Sequence, residues 1–239
     1  MATYKEEAIV VRAFDLGEAD RIVSLITSGR GLRRAVAKGV RRTGSRFGAR
    51  LEPFTHLKAV LHEGRNLDTV TQAEIVRSHA PIRGDLHKFL FGEAVLETVE
   101  RSLHEHQDVA RLFDALRVTL DVMDGEVRDL ALLVAAFQLK VCALIGYRPQ
   151  LGLCIHCGRE AEGVAVRLDV AGGGVSCREC CQGRDGTLAL SFEALEMMRS
   201  LLAEEIAAAS RREAPSHLSR QVLSTAFHYA ESFLERPLK

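Results

Sequence analysis

Four cysteines constrain this chain more than any other feature: Cys154-x2-Cys157, then nineteen residues, then Cys177-x2-Cys180. Each Cys-x2-Cys pair sets two thiolates on one tight turn, and two such turns facing each other complete a tetrahedron of sulfur, the arrangement that holds structural zinc. A closed shell of four thiolates leaves no position for water or substrate. The ion would therefore fold a segment of about 30 residues that is too small to bury a core of its own. Val164 to Val170 and the Gly172-Gly173-Gly174 turn read as a short hairpin between the two pairs. Other chemistries fit the cysteines less well. Two disulfides are disfavoured in a reducing compartment, an iron–sulfur cluster is a further alternative, and a thioredoxin-like redox pair needs a βαβ context that is absent. Cys181 adjoins Cys180 and is an alternative ligand, although Cys180 keeps the symmetric spacing. His156 lies inside the first pair and is expected to point outward, because four cysteines already fill the shell. Cys142 falls on an apolar helical run and reads as core.

The chain around this segment divides by period. Ala8 to Phe14, Arg21 to Thr27, Leu32 to Val40, Phe54 to Leu61 and Leu67 to Ile75 alternate or are β-branched, and glycines punctuate them. Five short strands in residues 1–79 predict a small OB-like barrel. From His79-Ala80-Pro81 the period becomes helical. One stripe is Leu86, Phe89, Leu96, Val99 and Leu103; a second is Val109, Leu112, Phe113, Leu116, Leu120 and Met123; a third runs from Leu130 to Leu144 and stops at Gly146 and Pro149. The expected architecture is α+β and multidomain: an OB-fold β-barrel over 1–79, an α-helical domain whose first part is 80–150, a four-cysteine zinc ribbon inserted at 151–185, and C-terminal helices over 186–239.

The formal net charge is zero, and that average hides an asymmetry. Residues 1–80 carry 14 Lys and Arg against 9 Asp and Glu, whereas 81–150 carry 8 against 11 and 151–239 carry 10 against 12. Nine basic residues lie between Asp20 and Glu52 with no acid among them. Such a run suggests a polyanion partner. Arg33, Arg34, Lys38, Arg41, Arg42 and Arg46 are the candidate nucleic-acid contacts. If β-structure continues through Val40, Arg34 and Lys38 share a face about 13 Å apart, with Arg33 and Arg41 on the other. Phe47 sits among them, either to stack on a base or to fill the barrel.

No run of eighteen apolar residues and no basic-then-apolar leader is visible, so the expected compartment is the cytoplasm. Phosphate-loop, His-Glu-x-x-His, Gly-x-Ser-x-Gly and dinucleotide signatures are absent, and the chain reads as a non-enzyme. Asp15, Glu18 and Asp20 share a glycine loop that could hold magnesium for a nuclease, and His104-Glu105-His106 reads as a solvated helix end rather than a metal pair. A zinc-containing RNA-binding or transcription-associated protein is the alternative among binding functions.

Five stretches together resemble the bacterial recombination mediator RecO family: Leu16-Gly17-Glu18-Ala19-Asp20-Arg21, Ala37-Lys38-Gly39-Val40-Arg41-Arg42, Leu51-Glu52-Pro53-Phe54, Thr71-Gln72-Ala73-Glu74 and Leu144-Ile145-Gly146-Tyr147-Arg148-Pro149. They occur in the family's order, and the resemblance spans residues 4 to about 183. It implies an N-terminal OB-fold, a helical domain and a zinc ribbon. It also implies a DNA-repair function: binding single- and double-stranded DNA, annealing complementary strands, and acting with RecR and the single-strand-binding protein to load RecA. On that resemblance Lys38-Gly39-Val40-Arg41-Arg42 is the implied DNA contact.

Overall fold

The computed structural model describes residues 2–45, 47–103, 109–161, 166–182 and 186–234. The chain divides into two compact units, Met1–Asp124 and Gly125–Lys239.

In the first unit, five strands close into a barrel: β1 (Thr3–Leu16), β2 (Asp20–Thr27), β3 (Gly31–Ala37), β4 (His56–His62) and β5 (Asp68–Arg77). Their order is β1-β2-β3-β5-β4, with β4 returning to β1 and β3 running parallel to β5. This is the expected OB-like sheet. Alternation directs Ala8, Val10, Val23, Leu25, Ala35, Ala37, Leu57, Ala59 and Leu61 inward, as the period of two requires. One stretch behaves differently from its sequence reading. Residues 38–40 leave the sheet in a turn, so Lys38 lies one residue beyond β3 rather than on its face with Arg34. The turn is fixed by Asp20, whose carboxylate accepts the Gly39 N–H at 2.8 Å.

The same unit includes α1 (Ala80–Gly84), α2 (Leu86–Ser102) and α3 (Val109–Asp124), so it runs past the end of the barrel. Asp85 caps α2 by accepting the Lys88 N–H, which satisfies one donor that a helix start leaves without a partner. The α3 stripe is buried as expected at Leu112, Phe113, Leu116, Leu120 and Met123. On α2 the stripe is Val95, Leu96 and Val99, and Leu86 is 69% exposed, because the buried face turns away from the first residue of the helix. Phe54 joins barrel to helix. It is fully buried with φ of 71° and meets Phe89 edge-on at 5.7 Å. Gly92 is required by that contact, since a Cβ there would come within 2.7 Å of the Phe54 ring.

Two histidines are sealed between barrel and α3. His56 Nε2 lies 2.8 Å from Glu7, and the fully buried His79 ring faces Asp124 at 3.5 Å and Asp121 at 3.8 Å. Burial lowers the pKa of both, against the pull of these carboxylates.

The second unit is built on α4 (Leu130–Leu144), whose residues Leu132–Leu139 are all buried. A helix apolar on every side belongs at the centre of a bundle. Here it packs against α5 (Phe192–Ala203), α6 (Ile206–Ala209) and α7 (Ser216–Leu234). Asp129 caps α4 through the Ala131 and Leu132 N–H groups and accepts from the Ser219 hydroxyl of α7. Between α4 and α5 lies a small antiparallel sheet of β6 (Val166–Asp169), β7 (Gly174–Ser176) and β8 (Thr187–Leu190), ordered β7-β6-β8. The β6–β7 hairpin is the expected one; β8 is an additional strand.

Candidate nucleic-acid interface and metal centre

The β1–β2 turn and the 38–42 turn meet through charge. Arg21 pairs with Asp15 at 2.9 Å and with Glu52 at 2.8 Å, and Arg41 reaches the Gly17 carbonyl at 2.9 Å and Asp15 at 3.4 Å. Arg30 pairs with Glu6 at 3.4 Å and covers the Tyr4 ring at 4.2 Å. The acid-free run is thus a property of the sequence alone, because strand pairing sets Asp15 directly opposite Arg21. Arg34, Lys38 and Arg42 differ from these. All three are exposed, and none forms an ion pair with another described residue. Arg33 shares the inward face of β3 with Ala35 and Ala37, and its Nε is buried. Arg46 lies outside the described residues.

Phe47 does not stand among the cations as a stacking platform. It is 1% exposed and packs in the barrel core with Val40 and Leu51. The segment leading to the 3-10 turn at Gly48–Leu51 folds back over the barrel, and its apolar residues fill the interior.

In the second unit, the four cysteine sulfurs of 154, 157, 177 and 180 all lie within 4.8 Å of one another. Cys157 and Cys177 Sγ are 3.8 Å apart. That is the edge of a tetrahedron whose metal–sulfur bonds are about 2.3 Å, so the donor set fits a thiolate-bound metal ion. The turns supply the geometry. Gly158 N–H donates to the Cys154 carbonyl at 2.9 Å, Cys180 N–H donates to the Cys177 carbonyl at 3.1 Å, and Cys177 N–H donates to Cys154 Sγ at 3.3 Å. Burial, the largest single influence on Cys154, pushes its thiol up. The backbone N–H groups of Cys177, Cys157 and His156 and the Cys157 thiol more than offset this, drawing it down to about 6. Cys180 is pushed up to about 12 by the neighbouring sulfurs of Cys177 and Cys157. Four thiolates this close repel, and a cation at their centre removes that repulsion.

Cys181 is outside the group and donates to the Arg178 carbonyl at 3.3 Å. His156 faces Asp169 at 3.2 Å, away from a ligand role. Cys142 is fully buried, with its thiol pushed up to about 12 by burial. The Asp15 and Asp20 carboxylates are engaged by Arg21, Arg41 and the Gly39 N–H. Among the described residues, the cysteines are the one group of His, Cys, Asp or Glu ligands close enough to share a metal. His104-Glu105-His106 lies outside the described residues.

Comparison with known proteins brings the two sites under one description. The family model "Recombination protein O N terminal" matches residues 1–79, and "Recombination protein O C terminal" matches 83–239. The chain belongs to the RecO family. The DNA repair protein RecO of Frankia casuarinae is 39% identical over all of this chain and 97% of its own length, and that of Symbiobacterium thermophilum is 36% identical over all of this chain and 95% of its own. The RecO of Thermobifida fusca is 42% identical over 84% of this chain and 82% of its own length.

The stretches that carry the RecO resemblance have visible structural roles. Leu16 to Arg21 forms the charged β1–β2 turn; in Leu51-Glu52-Pro53-Phe54 the leucine fills the barrel, Glu52 pairs with Arg21 and Phe54 packs against α2; and Gly146-Tyr147-Arg148-Pro149 ends α4. Tyr147 stacks on Phe233 at 4.3 Å, and its carbonyl accepts the Tyr229 hydroxyl at 3.1 Å. Arg65, beside Arg33 and Arg34 on the β4–β5 loop, is absent from the sequence-derived contacts. In sequence it is the arginine of a Gly-Arg-Asn turn between the last two strands of the barrel. No described helix is long and apolar enough to cross a membrane.

Proposed function

We propose that this RecO-family chain is a non-catalytic DNA-binding recombination mediator whose barrel, residues 1–79, holds single- and double-stranded DNA. The carrying observation is that Arg34, Lys38 and Arg42 stand exposed without carboxylate partners among the described residues, on a barrel that matches the family's N-terminal domain. Unpaired guanidinium and ammonium groups neutralise phosphates without reading sequence, and neutralising two strands lets complementary ones meet and anneal. Arg33, Arg41 and Arg46 complete the proposed patch, with Arg41 also holding the turn. Zinc is the proposed ion of the ribbon at 151–185, because a closed shell of four thiolates suits it and serves folding rather than chemistry. The helices of 80–150 and 186–239 would serve the partners the family resemblance implies: RecR, the single-strand-binding protein, and through them the loading of RecA.

The test is annealing of complementary strands coated with single-strand-binding protein, with and without RecR, alongside DNA binding across a salt series. Lys38→Glu with Arg42→Glu leaves the Arg41 anchor in place. It should weaken binding to every sequence and reduce the single-strand salt slope by roughly 1.4, about 0.7 for each lost phosphate contact. Unchanged affinity, or a preference for RNA in competition, overturns the reading.

A further inference from the structure

The edge of β3 that faces away from β2 is only half covered. β5 pairs with it at Ala35 and Val36 alone, so along residues 31–34 that edge meets no strand among the described residues. Beside it lies a cleft of about 410 Å³, walled by Leu32, Arg33 and Arg34 on one side and by Glu63, Gly64, Arg65, Asn66 and Asp68 on the other. Its acids do not cancel its cations. Three guanidinium groups, those of Arg33, Arg34 and Arg65, face two carboxylates, Glu63 and Asp68, and the Asp68 oxygens are already engaged by the Tyr4 hydroxyl and the Gly64 N–H, so the cleft keeps an excess of one positive charge. Arg33 lines the cleft while its Nε is buried with no hydrogen-bond partner among the described residues.

The facing loop is set in advance. A Cβ on Gly64 would fall 1.9 Å from the Leu67 carbonyl oxygen, so the chain doubles back tightly enough to exclude any side chain there. The Gly64 N–H to Asp68 bond at 3.0 Å closes the turn. Arg65 is thereby presented, exposed, from a constrained loop.

We propose that this cleft seats one backbone phosphate of single-stranded nucleic acid, with Arg65 a contact that acts beside Arg33 and Arg34; this rests on the reading of the barrel as DNA-binding. Planar guanidinium groups match the oxygens of a phosphodiester, and the backbone groups of the open β3 edge supply further donors. A peptide strand added to the same edge would need a run of carboxylates to meet three arginines. A single strand held by its phosphate keeps its base edges free to pair.

The experiment uses the full chain and a fluorescein-labelled oligothymidylate, with anisotropy read across a potassium chloride series. Arg65→Ala and Arg34→Ala remove exposed side chains. Each should weaken single-strand binding about three- to tenfold at low salt and reduce the salt slope by roughly 0.7, and Arg65→Lys should restore the slope. If Arg65→Ala keeps the parent affinity and slope while Lys38→Glu with Arg42→Glu loses both, the cleft assignment fails and the DNA-binding barrel stands. If neither variant changes binding, the barrel reading itself fails. A loss with Arg65→Ala as large on a duplex as on the oligothymidylate overturns the single-strand assignment.

Discussion

The barrel and the ribbon are both small β-structures, and they meet the problem of insufficient core in opposite ways. The barrel closes on itself around Phe47, Leu51 and a lining of Val, Leu and Ala, so its outer charges contribute little to its stability. The ribbon has strands of three and four residues and gathers four sulfurs instead. Side chains that hold the ribbon together are therefore unavailable for other work, whereas the barrel's surface can be specialised for a ligand.

Four measurements test that contrast. The largest effect is expected from Cys154→Ser. The purified chain should fall from about one metal ion per molecule to none, with loss of hydrogen-exchange protection in β6 and β7, because structural zinc supplies on the order of 10–16 kcal/mol to such sites. Barrel protection should persist, and a barrel that melts with the ribbon would end the comparison. Next is Phe54→Ala, which should cost the first unit about 3–5 kcal/mol in urea unfolding. Gly92→Ala alone should cost about 1–3 kcal/mol through the clash with the Phe54 ring. In the Phe54→Ala background it should cost less, which a double-mutant cycle will read as coupling.

The third effect depends on pH. His56 and His79 have folded pKa values below their ordinary 6.5, because burial disfavours the imidazolium. The unfolded chain therefore binds more protons below that value, and the stability of the first unit should be full above about pH 6.5 and decline as pH falls. Glu7, Asp121 and Asp124 work against this decline, and Arg77 and Arg117 work with it. Urea unfolding at pH 7.5 and 5.5 checks the sign, and His79→Gln should flatten the dependence. The smallest effect is the most diagnostic. Lys38→Glu with Arg42→Glu should leave unfolding free energy within about 0.5 kcal/mol while DNA binding falls.

How much of this was legible in sequence follows the same division. Strand periodicity placed all five barrel strands, and cysteine spacing placed the ribbon, since both are local patterns with a fixed physical period. Strand β8 escaped because four residues, Thr187–Leu190, carry too little alternation to stand out beside the following helix. The run that is free of acids in sequence is not free of them in space. Asp15 lies six residues from Arg21 in sequence and opposite it in the sheet, and Glu52 reaches it from 31 residues away. Phe47 stayed open between two roles in sequence for a related reason. Its basic neighbours describe the turn's surface, and nothing periodic in an irregular segment says which side chain turns inward.

The hydroxyl of Tyr229 on α7 accounts for one more property of the ribbon. It donates to the Tyr147 carbonyl at 3.1 Å and to the Gly173 carbonyl, in the turn between β6 and β7, at 3.4 Å. Gln150 joins the same turn through its own main chain, donating to the Gly173 carbonyl at 2.9 Å and accepting from the Val175 N–H at 2.9 Å. These tethers grip main-chain atoms, and they ask for particular residues only at the turn itself, where a Cβ on Gly174 would fall 2.6 Å from the Gln150 carbonyl oxygen. The mounting is consequently indifferent to most of the ribbon's side chains, and mutation is free to rewrite the ribbon's outer surface for a new partner without shifting it on the helices beneath.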